Sequence, residues 1–88
     1  METDDKTMEQ MARDAHYYCT YHRKKLVQDK LCGCFDCLTI FNPIEIKEWC
    51  DKDQTAICPY CGIDSIIGKS SGYPITIKFM KRMQKIWF

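Results

Sequence analysis

The chain has 88 residues, of which 45% are hydrophobic and 28% are charged, and its formal net charge is +1. This length allows one small domain over residues 1–88 with a thin apolar core, and the composition excludes a disordered chain. A membrane span is also excluded, because no apolar stretch approaches about 18 residues, and the acidic N-terminus is unlike a secretory signal. We therefore expect a cytoplasmic protein whose seven cysteines stay reduced or bind metal, with a secreted disulfide protein as the alternative.

The N-terminal segment carries apolar residues at helical spacing. Intervals of three and four residues predict a long helix over residues 5–30. The face with this spacing contains Met8, Met11, Ala12, Ala15, Cys19, His22 and Leu26. Either Thr3 or Asp4 is suited to cap its start. The segment "YYCTY" favours strands, so a break there stays open, and Gly33 ends the helical pattern.

The middle of the chain, residues 32–68, alternates short strand-like segments with turns. The segments "LTIF", "TAIC" and "IDSII" predict strands. The segment "IEIKEWC" is compatible with a half-buried strand or with a helical turn that opens at Asn42 and Pro43. Together with two CxxC pairs, this pattern predicts an α+β fold built on a zinc-ribbon-like β-hairpin.

The last segment, residues 75–88, predicts a short C-terminal helix that Thr76 can cap. One side of this helix is apolar and contains Phe79, Met80, Met83, Ile86 and Trp87. The opposite side is basic and contains Lys78, Lys81, Arg82 and Lys85. This separation is typical of a helix that packs one face on a core.

Four of the cysteines follow the spacing of a metal site. Cys34, Cys37, Cys58 and Cys61 form C-x2-C-x20-C-x2-C, which is typical of zinc ribbons. Zinc prefers four soft ligands in a tetrahedron, and each CxxC turn, or knuckle, presents two sulfurs close together. Gly62 after the second knuckle permits a tight turn with positive φ. We predict one structural Zn²⁺ ion, and because four thiolates leave no open position for water, this site argues against metal catalysis.

The other cysteines and the histidines are poorer candidates for ligands. Cys32 precedes Cys34 by two residues, a less favourable spacing than that of a CxxC pair, so it is kept as an alternative ligand or a buried thiol. Cys19 and Cys50 lack a CxxC partner and are expected to pack as small apolar residues. The two histidines of the sequence lie six residues apart and are not expected to bind zinc.

Residues 32–88 resemble a group of small bacterial proteins that are usually labelled only "cytoplasmic protein". The shared patterns are C-x-C-x-x-C, F-x-P-x-E-I-x-x-W, CPxCGxDS and a G-Y-P-I-T…W-F ending, present here as "CGCFDC", "FNPIEIKEW", "CPYCGIDS" and "GYPIT" with a final "WF". The resemblance implies a treble-clef-like or zinc-ribbon core of bacterial or phage origin, and it implies little about activity. Cys32 recurs in this group and Cys50 does not, which keeps a role for Cys32 open.

The first functional hypothesis is a non-catalytic, zinc-stabilised protein that binds a protein partner. It would act as an adaptor, regulator or inhibitor of a larger bacterial or phage complex, and its many tyrosine and tryptophan side chains are candidate interface anchors. The candidate surface consists of Lys78, Lys81, Arg82, Lys85, Trp87 and Phe88. The competing expectation is that the two C-terminal aromatic residues dock on the protein's own core.

Two alternatives stay open. A nucleic-acid-binding protein would use the basic C-terminal helix together with Arg23, Lys24 and Lys25, although four thiolates and one Zn²⁺ lower the net charge to about −1. A treble-clef nuclease would need two histidines and an acid around a second metal, whereas both histidines here precede residue 23. The sequence has neither a phosphate-binding glycine loop nor a nucleophile elbow, so we do not expect an enzyme.

Overall fold

The computed structural model describes residues 5–88, which form a mixed α+β fold. The helices in this range are α1 (Asp5–Ala15), α2 (Arg23–Leu26) and α3 (Ile77–Trp87). The strands are β1 (Cys32–Cys34), β2 (Ile40–Phe41), β3 (Glu48–Cys50), β4 (Thr55–Ile57) and β5 (Ile66–Gly68). The two candidate caps of the first helix, Thr3 and Asp4, lie outside the described residues. No helix within residues 5–88 is both long enough and apolar enough to cross a membrane.

The prediction of one continuous helix over residues 5–30 is wrong. α1 ends at Ala15, a 3₁₀ turn covers His16–Cys19, and α2 begins only at Arg23. Tyr21, which lies between the two helices, has φ 50°. This value belongs to the left-handed region, so the chain changes direction at Tyr21 and no helix passes through it. The break falls within the segment "YYCTY".

Contacts with a distant hairpin hold this break in place. Tyr21 N donates to Thr55 Oγ1 at 2.9 Å, and Ala56 N donates to His22 Nε2 at 3.0 Å. Thr55 is fully buried, so its hydroxyl needs a partner inside the protein. These hydrogen bonds form only when the hairpin lies beside the segment. Tertiary contacts therefore override the helical spacing of the apolar residues.

The strands form two antiparallel sheets. β1 lies between β2 and β5, and Cys32 is opposite both Phe41 and Gly68. β3 pairs with β4 in a separate hairpin. The segment "IEIKEWC" is divided, because a 3₁₀ turn at Pro43–Glu45 precedes β3. This arrangement differs from the single zinc-ribbon hairpin that the sequence predicts, since the second CxxC segment connects β4 of one sheet to β5 of the other.

The C-terminal helix agrees with its prediction. Thr76 Oγ1 accepts a hydrogen bond from Phe79 N at 3.1 Å and caps α3, which ends at Trp87. One core cluster contains Ala12, Ala15, Cys19, Phe35, Ile67, Ile75, Phe79, Met80 and Met83. A second cluster contains Leu26, Cys32, Cys34, Phe41, Ile46, Ala56, Cys58 and Ile66. The first cluster joins α1 to α3, and the second includes two of the cysteines predicted to bind metal, Cys34 and Cys58.

Candidate metal centre

Four cysteine sulfurs come together where the two CxxC segments meet. The group consists of Cys34, Cys37, Cys58 and Cys61, and its sulfur atoms all lie within 4.8 Å of one another. The Sγ atoms of Cys34 and Cys61 are 3.6 Å apart, and those of Cys37 and Cys58 are 3.7 Å apart. Zn–S bonds of about 2.3 Å in a tetrahedron separate neighbouring sulfurs by about 3.8 Å. The sulfurs therefore fit a four-thiolate metal site and are too far apart for a disulfide.

The strands next to the two CxxC segments determine where these segments lie. Cys34 is the last residue of β1, and the turn after it carries Cys37. Cys58 directly follows β4, and the chain turns through Cys61 before it enters β5. β1 pairs with β5, and Cys34 is opposite Ile66. This pairing brings the end of the second CxxC segment beside the start of the first.

The two CxxC turns share one hydrogen-bond pattern. Leu38 N donates to Cys34 O, and Gly62 N donates to Cys58 O, both at 2.9 Å. Each closing residue has a positive φ, 64° at Leu38 and 79° at Gly62. This conformation is readily adopted by glycine and is unfavourable for leucine. The predicted positive φ of Gly62 is confirmed. The positive φ of Leu38 in the first turn is not predicted by the sequence pattern.

Backbone amides point at two of the sulfurs. The amide nitrogens of Asp36 and Cys37 lie 3.4 and 3.5 Å from Cys34 Sγ. The amide nitrogen of Tyr60 lies 3.4 Å from Cys58 Sγ. Such donors stabilise a charged thiolate more than a neutral thiol. Each turn therefore supplies backbone amides that can donate to a metal-bound thiolate.

Two hydroxyl groups contact the cluster, and burial and hydrogen bonds shift the pKa of two of its thiols. Ser65 Oγ lies 3.0 Å from Cys34 Sγ, and Thr39 Oγ1 lies 3.2 Å from Cys37 Sγ. Burial raises the pKa of Cys37, but its hydrogen bonds, first of all with Thr39, outweigh burial and lower the pKa to about 7. At Cys58 burial dominates and raises the pKa to about 11. A bound dication would offset this penalty and displace the thiol protons.

The three remaining cysteines lie outside this group. Cys32 is fully buried in β1, and burial raises its pKa far above the ordinary value. Cys19 is buried in the first core cluster, as expected, and Cys50 belongs to β3. Among residues 5–88, the structure thus brings the four predicted ligands together and leaves the alternative ligand Cys32 aside.

Both histidines are engaged in hydrogen bonds or packing. His22 Nδ1 donates to Tyr18 O at 2.8 Å, while its Nε2 accepts from Ala56 N at 3.0 Å. Burial lowers the pKa of His22, which agrees with a neutral ring in this position. The ring centroid of His16 lies 4.0 Å from that of Trp87. In the part of the chain that the structure describes, neither histidine belongs to a group that could hold a metal.

The predicted partner surface on α3 is divided between exposed and docked side chains. Its lysines, Lys78, Lys81 and Lys85, are exposed, and Arg82 is half-buried. Trp87 Nε1 donates to Ala12 O at 3.3 Å, and the ring of Phe88 lies 5.8 Å from that of Phe35. The chain end therefore docks on the core, although Trp87 and Phe88 keep 39% and 60% of their surface exposed.

A further surface, which the sequence does not predict as one site, lies at the break between α1 and α2. It consists of Tyr17, Tyr18, Tyr21, Lys24 and Lys25, which line a hollow of about 460 Å³, and we call it the tyrosine–lysine face. The sequence signal is the run "YYCTYHRKK", in which aromatic and basic residues follow one another. The spacing of these five residues would also place them on one side of a continuous helix, so their grouping does not depend on the break.

No protein-family model, no curated protein and no solved structure matches this chain. The resemblance of residues 32–88 to small bacterial proteins therefore stays a prediction that rests on the shared motifs. The structure supports a coarser statement, which is a mixed α+β fold with four cysteines placed so that they could bind a metal ion.

Proposed function

We propose that this chain is a small, non-catalytic protein whose fold is held by one Zn²⁺ ion and which acts by binding another macromolecule. The observation that supports this proposal is the four-thiol group, with sulfur separations of 3.6 and 3.7 Å across the two CxxC turns. An ion there would connect Cys37 to Cys58 and Cys34 to Cys61. In a domain with a thin apolar core, such a cross-link contributes directly to folding.

Zinc is the ion that suits this ligand set best. Four thiolates in a tetrahedron are typical of structural zinc sites, and iron is the other metal that readily accepts four sulfur ligands. The protein supplies all four positions, so none stays open for water or substrate. A closed site of this kind stabilises a fold and supplies no catalytic group.

The placement of the histidines supports a non-catalytic role. A treble-clef nuclease needs histidine nitrogens that are free to hold a second metal and to accept a proton. His22 uses both ring nitrogens in hydrogen bonds with the backbone. His16 packs its ring on Trp87. We therefore propose a binding protein and not the nuclease.

Exposed aromatic side chains support the binding part of the proposal. Tyr17, Tyr21 and Phe88 keep 79%, 70% and 60% of their surface exposed. Tyrosine and other aromatic side chains contribute much of the energy at interface hot spots. A protein partner, with the chain as adaptor, regulator or inhibitor in a bacterial or phage complex, stays the prediction from the sequence.

Nucleic acid is the second candidate partner. The exposed lysines of α3 give that helix a basic side, as this alternative requires. The aromatic residues at the end of α3 are docked, however, since Trp87 contacts Ala12 and Phe88 contacts Phe35. The tyrosine–lysine face combines exposed rings with lysines and is therefore the stronger surface for such a partner.

Metal analysis of the purified protein tests the zinc proposal. We expect one zinc ion per chain, and replacement by Co²⁺ should give the visible d–d bands of a tetrahedral thiolate site. Chelation should abolish cooperative thermal unfolding, because the two CxxC turns would no longer be joined. Metal-free protein that unfolds cooperatively at the same temperature as the zinc-bound form would contradict the structural role.

A further inference from the structure

The tyrosine–lysine face presents aromatic rings to solvent. Tyr17 and Tyr21 are 79% and 70% exposed, and Tyr18 is 40% exposed. The rings of Tyr17 and Tyr18 meet edge to face with centroids 5.2 Å apart. Large rings that are exposed on a small domain and grouped around a hollow are unlike the scattered apolar residues of an ordinary surface. This grouping favours a ligand with flat or apolar groups that can pack on the rings.

The backbone beneath the face is fixed in an unfavourable conformation. Tyr21 has φ 50°, a left-handed value that is rare for a bulky residue. Its amide donates to Thr55 Oγ1, and the next residue, His22, bridges Tyr18 O and Ala56 N. Such conformations persist where surrounding contacts impose them, and they cluster at functional sites. In this conformation Tyr21 and the lysines of α2 line the same hollow.

The charge of the face favours an anionic ligand. Lys24 and Lys25 line the hollow, and no acidic residue is among its lining residues within residues 5–88. The neighbouring Arg23 is directed elsewhere, because its guanidinium lies 4.6 Å from the ring of Trp49 and donates to Asp53 O. The two lysines are therefore the cations that a ligand in this hollow would meet.

A second hollow extends the surface beyond the tyrosine pair. It has a volume of about 530 Å³, and Tyr17 and Tyr18 line both hollows. Its other walls are Tyr73, Trp87, His16 and the oppositely charged Arg13 and Asp14, and the Tyr18 and Tyr73 centroids are 5.9 Å apart. A ligand can thus follow aromatic surface from the lysines across the pair towards α3. This path suits an extended chain better than a single small molecule.

We propose that the tyrosine–lysine face binds single-stranded nucleic acid, with bases stacked on Tyr17 and Tyr21 and phosphates at Lys24 and Lys25. Proteins that bind single strands combine aromatic platforms for bases with cations for the backbone. A duplex keeps its base faces stacked inside, so it would reach the lysines but not the rings. This inference rests on the proposed function and names the class of macromolecule that is bound.

Anisotropy titrations with the zinc-bound full chain test this proposal. The probes are fluorescein-labelled oligo-dT and oligo-rU of about 15 nucleotides, a duplex of the same length and an oligo-glutamate peptide. Two phosphate contacts to a single strand predict that affinity falls about sevenfold between about 50 and 200 mM salt. Both single strands should bind more tightly than the duplex. A difference between the DNA and RNA probes would show whether the 2′-hydroxyl contributes.

Variants separate this face from the basic side of α3. Tyr17→Ala should weaken binding of a single strand roughly tenfold, and Tyr17→Phe should retain it because the ring still stacks. Lys24→Glu combined with Lys25→Glu should remove most binding and its salt dependence. Lys81→Glu combined with Lys85→Glu changes the net charge equally on α3 and should leave most of the affinity. Zinc content and melting temperature are measured for each variant.

Three results would overturn the proposal. The first is that neither single strand binds at low salt, although the protein holds zinc and melts cooperatively. In that case the structural-zinc proposal would still stand. The second is an equal loss of affinity in the α3 double variant, which would mean general charge attraction. The third is binding of the oligo-glutamate peptide as tightly as the single strands with the same dependence on Lys24 and Lys25, which would indicate an acidic protein partner.

Discussion

The two CxxC turns have the same backbone hydrogen bonds but different residues at the position that closes each turn. In both, the closing amide donates to the carbonyl of the first cysteine at 2.9 Å, and the closing residue has a positive φ. The first turn has Leu38 there, and this side chain packs against the core cluster that joins α1 to α3. The second turn has Gly62, and a Cβ atom on it would meet no atom within 4 Å.

The first turn also forms hydrogen bonds with side chains from α3 and from the segment before β5. Gln84 Nε2 on α3 donates to Asp36 O at 2.7 Å, and the buried Ser65 places its hydroxyl against Cys34. In the second turn, the Tyr60 hydroxyl donates to Glu45 at an exposed position. Packing can thus hold leucine in an unfavourable conformation in the first turn. The second turn lacks such packing around its closing residue and depends on glycine.

Loss of a ligand is expected to have the largest effect, whichever turn supplies it. Cys58→Ser should lose both the metal and cooperative unfolding, because three thiols bind zinc less tightly and the turns would separate. Zinc content and a thermal melt followed by circular dichroism measure this. A variant that melts cooperatively without metal would show that the turns fold without a cross-link.

Cys32→Ser is the matched control for this experiment. Cys32 lies two residues before Cys34 but outside the four-thiol group. The variant should keep one zinc ion per chain and lose about 1 to 3 kcal/mol of unfolding free energy, because serine would bury a hydroxyl group in β1. If this variant lost its metal instead, Cys32 would take the place of Cys34 as a ligand.

The features that the sequence predicts well are those set by local spacing. A CxxC pair fixes two sulfurs on one turn, so the spacing alone pointed to the four cysteines that the structure brings together. The same holds for α3, where Thr76 and the alternation of apolar and basic residues lie within a few turns of one helix. In both cases the physical cause and the sequence signal occupy the same short stretch of chain.

The features that the sequence misses depend on distant contacts. The break at Tyr21 is held by Thr55, and the neighbouring His22 is held by Ala56. The strand-favouring residues of "YYCTY" leave a break open, but nothing near them indicates which hairpin will lie there, so the helical spacing favours one long helix. The tyrosine–lysine face has a local sequence signal, the helical spacing of its five residues, but its tyrosines and lysines belong to separate functional hypotheses in the sequence interpretation. The positive φ of Leu38 is likewise hidden, since leucine gives no turn signal.

Removal of the buried hydroxyl next to the first turn should have an intermediate effect. Ser65→Ala deletes the group that lies 3.0 Å from Cys34 Sγ. Loss of a group that hydrogen-bonds to a metal-binding side chain typically weakens metal binding about 10- to 100-fold. Competition with a zinc-binding dye measures the change.

Thr39→Val is the control for Ser65→Ala. Thr39 lies 3.2 Å from the sulfur of Cys37, which is exposed, so water can replace the lost hydroxyl. Its effect on zinc affinity should therefore be smaller. Equal losses in the two variants would contradict the idea that burial makes the Ser65 contact important.

Substitution of the residue that closes each CxxC turn should give the smallest changes in stability. The two substitutions, Gly62→Ala and Leu38→Gly, compare the turns directly. Gly62→Ala should cost about 1 to 2 kcal/mol of unfolding free energy at saturating zinc, because alanine must adopt φ near 79° with no packing in return. Leu38→Gly relieves a similar strain but removes a side chain that packs on the core, so the two terms oppose each other. We expect its net change, measured by chemical denaturation, to be smaller than that of Gly62→Ala. A gain in stability of about 1 to 2 kcal/mol in Leu38→Gly would show that the leucine contributes no packing energy and that both turns prefer glycine equally.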